Sequence, residues 1–195
     1  MNEGEYKVMG MAPYGEPRYL DKVYKLIRVA DDGSFWLDMQ YFSYHYSPDQ
    51  TFNGNFVKLF GEPRGKSTSG GDAVDKHYAD IAASIQKALE ETLLKMVRYL
   101  YKETGLKKLC LAGGVALNSV ANGRLLRESE FDDIFIQPAA GDSGGAIGAA
   151  LYVYHSLLGK KRQFIMEHAY LGPEFRQAEI ETFLKDNHIP FQSFG

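Results

Sequence analysis

The sequence predicts an α/β protein, on three observations. Short apolar runs alternate with helical patterns from Lys108 onward, which argues for parallel strands in a layered sheet. Two glycine-rich turns each follow such a run and open a helix: Ala112-Gly113-Gly114-Val115 and Ala140-Gly141-Asp142-Ser143-Gly144-Gly145. A long helix with one apolar stripe precedes both. The expectation is one half of a nucleotide-handling α/β domain. In open α/β sheets ligands bind beyond the carboxyl ends of the strands, and both turns lie there.

The elements follow in chain order. Across residues 4–15, Gly10, Pro13 and Gly15 forbid a long regular element at the far end. Asp31-Asp32-Gly33-Ser34 forms a turn. Phe35-Trp36-Leu37 and Tyr41-Phe42-Ser43-Tyr44 are aromatic runs bounded by turn residues and predict a hairpin. Residues 47–71 read as loop, with one apolar turn near Phe56-Val57 and Leu59-Phe60. The spacing of Ile81, Ile85, Leu89, Leu93, Val97 and Leu100 predicts a helix from Asp72 to Thr104, stopped by Gly105. Then come a strand at 108–112, a helix at 115–127, a strand at 133–137 and a helix at 142–158. Lys160-Lys161-Arg162 reads as a solvated linker. An amphipathic stretch with Ile180, Phe183 and Leu184 starts a further element.

Composition bounds the function classes. At 195 residues the chain can hold one domain, or one domain and part of another. A net charge of -3 gives no electrostatic case for a nucleic-acid partner. No run is long enough to cross a bilayer and no signal peptide is readable, so a cytoplasmic protein without a membrane partner is expected. The lone Cys110 lies in the apolar run Leu109-Cys110-Leu111, where a thiol acts as a small hydrophobe. Both ends read as those of a piece of a longer protein.

The turns carry the chemistry. Gly113 and Gly114 end a strand with no Cβ in the way of a ligand. The helix that follows offers free N–H groups and the positive end of its dipole. Asn118, about one turn into that helix, can donate and accept hydrogen bonds. In the second turn Asp142 sits where a helix begins. An N-cap is a sufficient role for it. The small residues around it, Gly141, Gly144 and Gly145 among them, keep the backbone closely approachable, which favours a metal or active-site role. Ser143 lacks a local base partner and reads as a helix-start hydroxyl. Neither turn has the spacing of a Walker loop or a dinucleotide fingerprint.

Three ordered motifs, Gly4-Glu5-Tyr6-Lys7-Val8-Met9-Gly10-Met11-Ala12-Pro13-Tyr14-Gly15, Gly113-Gly114-Val115-Ala116-Leu117-Asn118 and Gln137-Pro138-Ala139-Ala140-Gly141-Asp142-Ser143-Gly144-Gly145, together resemble the O-carbamoyltransferases of nodulation-factor and antibiotic biosynthesis. His168-Ala169-Tyr170-Leu171-Gly172-Pro173 follows in the same order. The resemblance implies the second half of a sugar-kinase/actin-like (ribonuclease-H-like) domain, a mixed sheet with helices packed on it, related to the tRNA threonylcarbamoyl-transfer enzyme. It implies residues 1–162 as the later half of the carbamoyl-transfer domain and 163–195 as a linker and the start of an adenylate-forming domain.

The resemblance further implies that carbamoyl phosphate and ATP yield carbamoyl-adenylate, whose carbamoyl group passes to a hydroxyl-bearing small molecule or sugar. Asp142 matches a metal-ligand aspartate for a divalent metal, with iron among the candidates. Gly113, Gly114 and Asn118 match the adenosine- and phosphate-contacting motif, and Gly141, Ser143 and Gly144 are further candidate cofactor-binding residues, on the metal side. Glu5 and Lys7 match a motif beside the nucleotide, with Lys7, like Asp142, also a candidate catalytic residue. A homodimer is among the assemblies this allows. The family's paired metal-binding histidines are expected upstream of Met1. His45, His77, His155, His168 and His188 form no i, i+4 pair. These 195 residues alone are therefore expected to be inactive. The alternatives are an ATP-dependent phosphotransferase or ATPase of the same superfold, and a non-catalytic nucleotide-binding module.

Overall fold

The computed structural model describes residues 4–65 and 75–193. Two compact units follow one another along the chain, Met1–Ile147 and Gly148–Gly195.

The first unit is organised along α4, a 29-residue helix spanning Lys76–Thr104. Asp75 caps it: its carboxylate accepts the His77 N–H at 3.0 Å. Gly105, with φ 62°, ends it in the left-handed conformation the sequence predicts for the stop. The expected start at Asp72 lies outside the described residues.

The expected apolar stripe is only partly the buried face. Val97 is buried, and Ile81 and Leu93 pack against core clusters, but Ile85 and Leu100 are exposed. The buried face instead carries Ala79, Asp80, Ala82, Ala83, Ser84, Gln86, Ala88, Thr92 and Leu94. Small side chains are required because neighbouring segments approach the helix backbone. A Cβ on Gly15 would lie 2.0 Å from the Ala79 carbonyl oxygen.

Polar groups on that face are paired, as burial demands. Asp80 accepts the Glu16 N–H at 2.7 Å and pairs with Lys76. Ser84 Oγ accepts the Tyr19 N–H at 3.0 Å and donates to the Asp80 carbonyl at 2.6 Å. These bonds seat the segment of α1 (Glu5–Met11), the short 3-10 turn Ala12–Tyr14 and α2 (Leu20–Leu26) on the helix. The Lys76 hydrogen bond, with that from Glu16, holds the Asp80 carboxyl below the usual carboxylate range.

β1 (Ile27–Val29) and β2 (Phe35–Leu37) pair antiparallel around the Asp31–Ser34 turn. The expected hairpin therefore has a different partner. Tyr41 ends a 3-10 turn, and Phe42 makes a single bridge to Phe52 in place of a strand. The turn residues before Phe35 decide this, because they let β2 fold back on the chain that precedes it. The apolar turn near Phe56 is a full helix, α3 (Gly54–Phe60), capped by Asn53. Val23, Leu26, Phe60 and Ala88 form the core of this end.

The other end holds β3 (Lys108–Leu111), α5 (Ser119–Glu128) and β4 (Asp133–Ile136). β3 and β4 are parallel, in register from Lys108↔Asp133 to Leu111↔Ile136, as the alternation predicts. Leu94, Val97, Leu109, Leu125 and Phe131 form their core. Cys110 is exposed, which corrects its reading as a core thiol. Only Leu109 of β3 is buried, because alternate strand residues point to opposite faces and one face packs on the α4–α5 side. Parallel and antiparallel pairing thus both occur in an α/β arrangement, in two separate two-stranded sheets among the described residues.

α6 (Gly144–Leu151) begins in the first unit and runs into the second. The second unit continues as a wider π-helical segment, Tyr152–Leu157, closed by the left-handed Gly159. The amphipathic stretch is α7 (Gln177–Asp186), where the Arg176 N–H donates to Glu179 Oε2 at 2.7 Å.

Candidate functional site

The two glycine turns meet. Each leaves the carboxyl end of a strand in the β3–β4 pair. The Gly113 N–H donates to the Ala140 carbonyl at 2.7 Å, and the Gln137 N–H donates to the Leu111 carbonyl at 3.2 Å. A Cβ on Gly141 would touch Leu117 at 3.9 Å. Gly113 has φ 102° and ψ 162°, a conformation that side-chain-bearing residues rarely adopt. Only glycine lets the strand turn here and aim its N–H across at Ala140.

That bond spends the Gly113 donor internally. The N–H groups of Gly114 and Val115 in the first turn, and of Asp142 and Ser143 in the second, make no hydrogen bond among the described residues. Successive unpaired backbone donors of this kind favour an anion. Gly113 and Gly114 are exposed, and a Cβ on Gly114 would meet nothing within 4 Å.

Asn118 is not inside the helix, as the sequence predicts, but its cap. A 3-10 turn, Gly114–Leu117, intervenes and α5 starts one residue after Asn118. Asn118 competes with the helix backbone for hydrogen bonds, so its oxygen takes the Ala121 N–H at 3.0 Å and the chain breaks there. Its amide is also clamped by Gln86 of α4. Asn118 Nδ2 donates to Gln86 Oε1 at 2.8 Å and Gln86 Nε2 donates back to Asn118 Oδ1 at 3.2 Å. Gln86 Nε2 donates in addition to Glu90 Oε1 at 2.9 Å. Glu90 pairs with Arg124 at 3.0 Å, and Arg124 with Glu128 at 2.8 Å. The bond from Arg124 holds the Glu128 carboxyl below its ordinary range, and its counterpart holds the Arg124 guanidinium above its own.

Asp142 is exposed in the turn that leads into α6, two residues before the helix begins. Its carboxylate makes no hydrogen bond or ion pair among the described residues, so nothing in its surroundings uses it as a cap. No group of three metal-ligating side chains occurs among the described residues. One free carboxylate fits the part of a single ligand, which is too few for a metal centre. Ser143 is exposed beside it. Gly144 has a packing role: a Cβ there would lie 2.1 Å from the Ala139 carbonyl oxygen.

Glu5 and Lys7 lie on the exposed α1. Glu5 accepts the Gly4 N–H at 3.1 Å, and the Lys7 ammonium sits 5.7 Å from the Tyr6 ring centre. Neither makes a hydrogen bond or ion pair with the glycine turns. Sequence reasoning missed Gln86, Glu90 and Arg124. For Gln86 and Glu90 the signal was present as polar residues inside the apolar pattern of α4, where a buried amide must find partners; Arg124 lies on α5 and reaches Glu90 only through tertiary packing.

Parallel strands that end in adjacent glycine turns with unpaired N–H groups define an α/β protein whose candidate site is at the strand ends. The family described as Carbamoyltransferase N-terminus matches residues 1–151. The chain belongs to this carbamoyltransferase family. It is 52% identical over 190 residues to the uncharacterized protein sll1178 of Synechocystis, covering 95% of this chain and 30% of that one. It is 36% identical over 192 residues to nodulation protein NolO of Bradyrhizobium diazoefficiens, covering 96% of this chain and 32% of the relative. A tRNA N6-adenosine threonylcarbamoyltransferase of Cytophaga hutchinsonii is 30% identical over 125 residues, 63% of this chain and 34% of the relative. The chain spans about a third of the length of these relatives.

Proposed function

We propose that this chain supplies the nucleotide wall of an O-carbamoyltransferase site. The reaction moves a carbamoyl group from carbamoyl-adenylate, made from carbamoyl phosphate and ATP, to a hydroxyl on a small molecule or sugar. The observation that carries this reading is the hydrogen bond from Gly113 to Ala140, which makes one surface of the two turns. Membership of the carbamoyltransferase family and the likeness to NolO support it.

In this reading the N–H groups of Gly114 and Val115 take the phosphate of the adenylate. As the acceptor hydroxyl attacks the carbamoyl carbon, negative charge grows on the departing AMP phosphate. Donors already aimed at that position stabilise the transition state without reorganising. Asn118 adds a side-chain donor at the end of the same turn. No nucleophilic side chain is needed, and Ser143 is read as a helix-start hydroxyl. Asp142 would supply one oxygen ligand to a divalent metal, iron among the candidates, which when bound polarises an oxygen of the substrate. Glu5 and Lys7 would sit beside the nucleotide.

The finer fold reading is also a proposal: the second half of a sugar-kinase/actin-like domain in residues 1–162, with 163–195 leading into an adenylate-forming domain. The cytoplasm as location, and the inactivity of these residues on their own, belong to the same reading.

The test is the product of ATP in the intact protein. Pyrophosphate release that depends on carbamoyl phosphate is expected, with the carbamoyl group recovered on a hydroxyl acceptor. Release of ADP alone overturns the reading and favours a phosphotransferase or ATPase of the same superfold.

A further inference from the structure

Asn118 can be assigned atom by atom, because its surroundings fix its polarity. The backbone N–H of Ala121 can only donate, so the atom facing it is Oδ1. The Glu90 carboxylate accepts, so the Gln86 atom facing it is Nε2. With both ends fixed, the two amides meet as a reciprocal pair, at 2.8 Å and 3.2 Å. Asn118 Oδ1 then holds two donors and has no lone pair left. Its nitrogen has used one hydrogen on Gln86 and keeps one uncommitted among the described residues, at the end of the Gly113–Gly114 turn. Gln86 in turn has both Nε2 hydrogens committed, to Asn118 and Glu90. Its own place is held by the Glu90–Arg124–Glu128 ion pairs.

We propose that Gln86 is a positioning residue that locks the Asn118 amide as a hydrogen-bond donor toward the site, so that the ligand group facing Asn118 must be an acceptor. Gln86 does not itself touch the ligand. On the reading given under Proposed function, on which this inference rests, that acceptor is an oxygen or ring nitrogen of the adenylate. A free asparagine could rotate and serve either a donor or an acceptor; this one cannot without breaking three bonds. The lock therefore selects the polarity of the bound group, and it orders the turn before the ligand arrives.

The test is ATP binding by titration calorimetry on the intact protein, fitted as two sites so that the one at the strand ends is read apart from the one in the adenylate-forming domain, together with the KM for carbamoyl phosphate and the thermal midpoint. Asn118→Asp keeps the acceptor that caps α5, replaces the donor with a second acceptor oxygen and adds one negative charge. It is expected to weaken ATP binding by about tenfold or more, as the loss of a hydrogen bond to a charged or polar ligand does. Gln86→Met keeps the length of the side chain and removes its amide. It is expected to weaken ATP binding about three- to tenfold and leave the carbamoyl phosphate KM unchanged. In the double variant the losses should not add, since both act through one amide.

If Asn118→Asp leaves ATP binding unchanged, the nucleotide reading of this turn fails, and the inference with it. If Asn118→Asp weakens ATP binding but Gln86→Met does not, or the two losses add in full, the positioning role alone is wrong. Gln86→Leu is the second variant should Gln86→Met not fold, because it too removes both the donor and the acceptor that hold Asn118, and the same loss of about three- to tenfold is expected. Failure of both to fold would make Gln86 structural and overturn the proposal.

Discussion

Two neighbouring glycines, Gly144 and Gly145, should respond to the same substitution with opposite sign. A Cβ on Gly144 would lie 2.1 Å from the Ala139 carbonyl oxygen, where ordinary contact begins at 3.4 Å. The Pro138–Ser143 turn would have to retreat by about 1.3 Å. Overpacking of this size costs about 1–3 kcal/mol. A Cβ on Gly145 meets nothing within 4 Å, and the residue lies in α6. There alanine removes backbone entropy from the unfolded chain and should gain about 0.5–1 kcal/mol. Thermal denaturation of the intact protein reads both. Gly144→Ala should lower the midpoint by about 2–4 °C for each kcal/mol, and Gly145→Ala should hold or raise it. Because the retreating turn carries Asp142, Gly144→Ala should also reduce carbamoyl transfer. A Gly144→Ala protein as stable as the parent would refute the close packing of this turn. Equal destabilisation by both would refute the steric explanation.

Two further outcomes test the fold. Leu125 is 1% exposed among Leu94, Val97, Leu109 and Phe131, so Leu125→Ala should cost about 2–5 kcal/mol in chemical denaturation; a cost well under that range would mean the cluster is not the core. Asp80 has a depressed folded-state pKa, so its contribution is fully present above the ordinary aspartate value of about 3.9 and is lost as pH falls through the lower folded value. Asp80→Asn should flatten the dependence of stability on pH in that acid window, measured by denaturation between about pH 2 and 5. An unchanged slope would count against the Glu16 and Lys76 contacts.

Much of the second half of the first unit was legible because its signals are local. Each strand from Lys108 onward is a short apolar run followed by a turn, through Gly113 after the first and Pro138 to Gly141 after the second, and Gly105 is a helix stop whatever surrounds it. The hairpin was misread because strand pairing is settled by the turn. Phe35–Leu37 has aromatic runs on one side and the Asp31–Ser34 turn on the other, and the turn won. The buried face of α4 was misread because periodicity weights size, whereas close approach selects alanine. Ile85 and Leu100 fit the stripe and are exposed; Ala79 and Ala82 do not stand out and are buried. At the site, both glycine turns and Asn118 could be named from sequence. The partner of Asn118 could not, because Gln86 lies 32 residues away and only tertiary packing brings it near.

The helix α4 also sets a rule about inheritance. Asp80 holds the Glu5–Gly15 side of the chain through Glu16, and Gln86 holds the glycine-turn side through Asn118. Both grips are on one uninterrupted rod. A single inserted or deleted residue between them would turn one grip by about 100° relative to the other. Side chains along this stretch can change by substitution, but its length cannot drift. Homologous chains that keep both motifs should keep the interval from Asp80 to Gln86 free of gaps, even where the residues between differ.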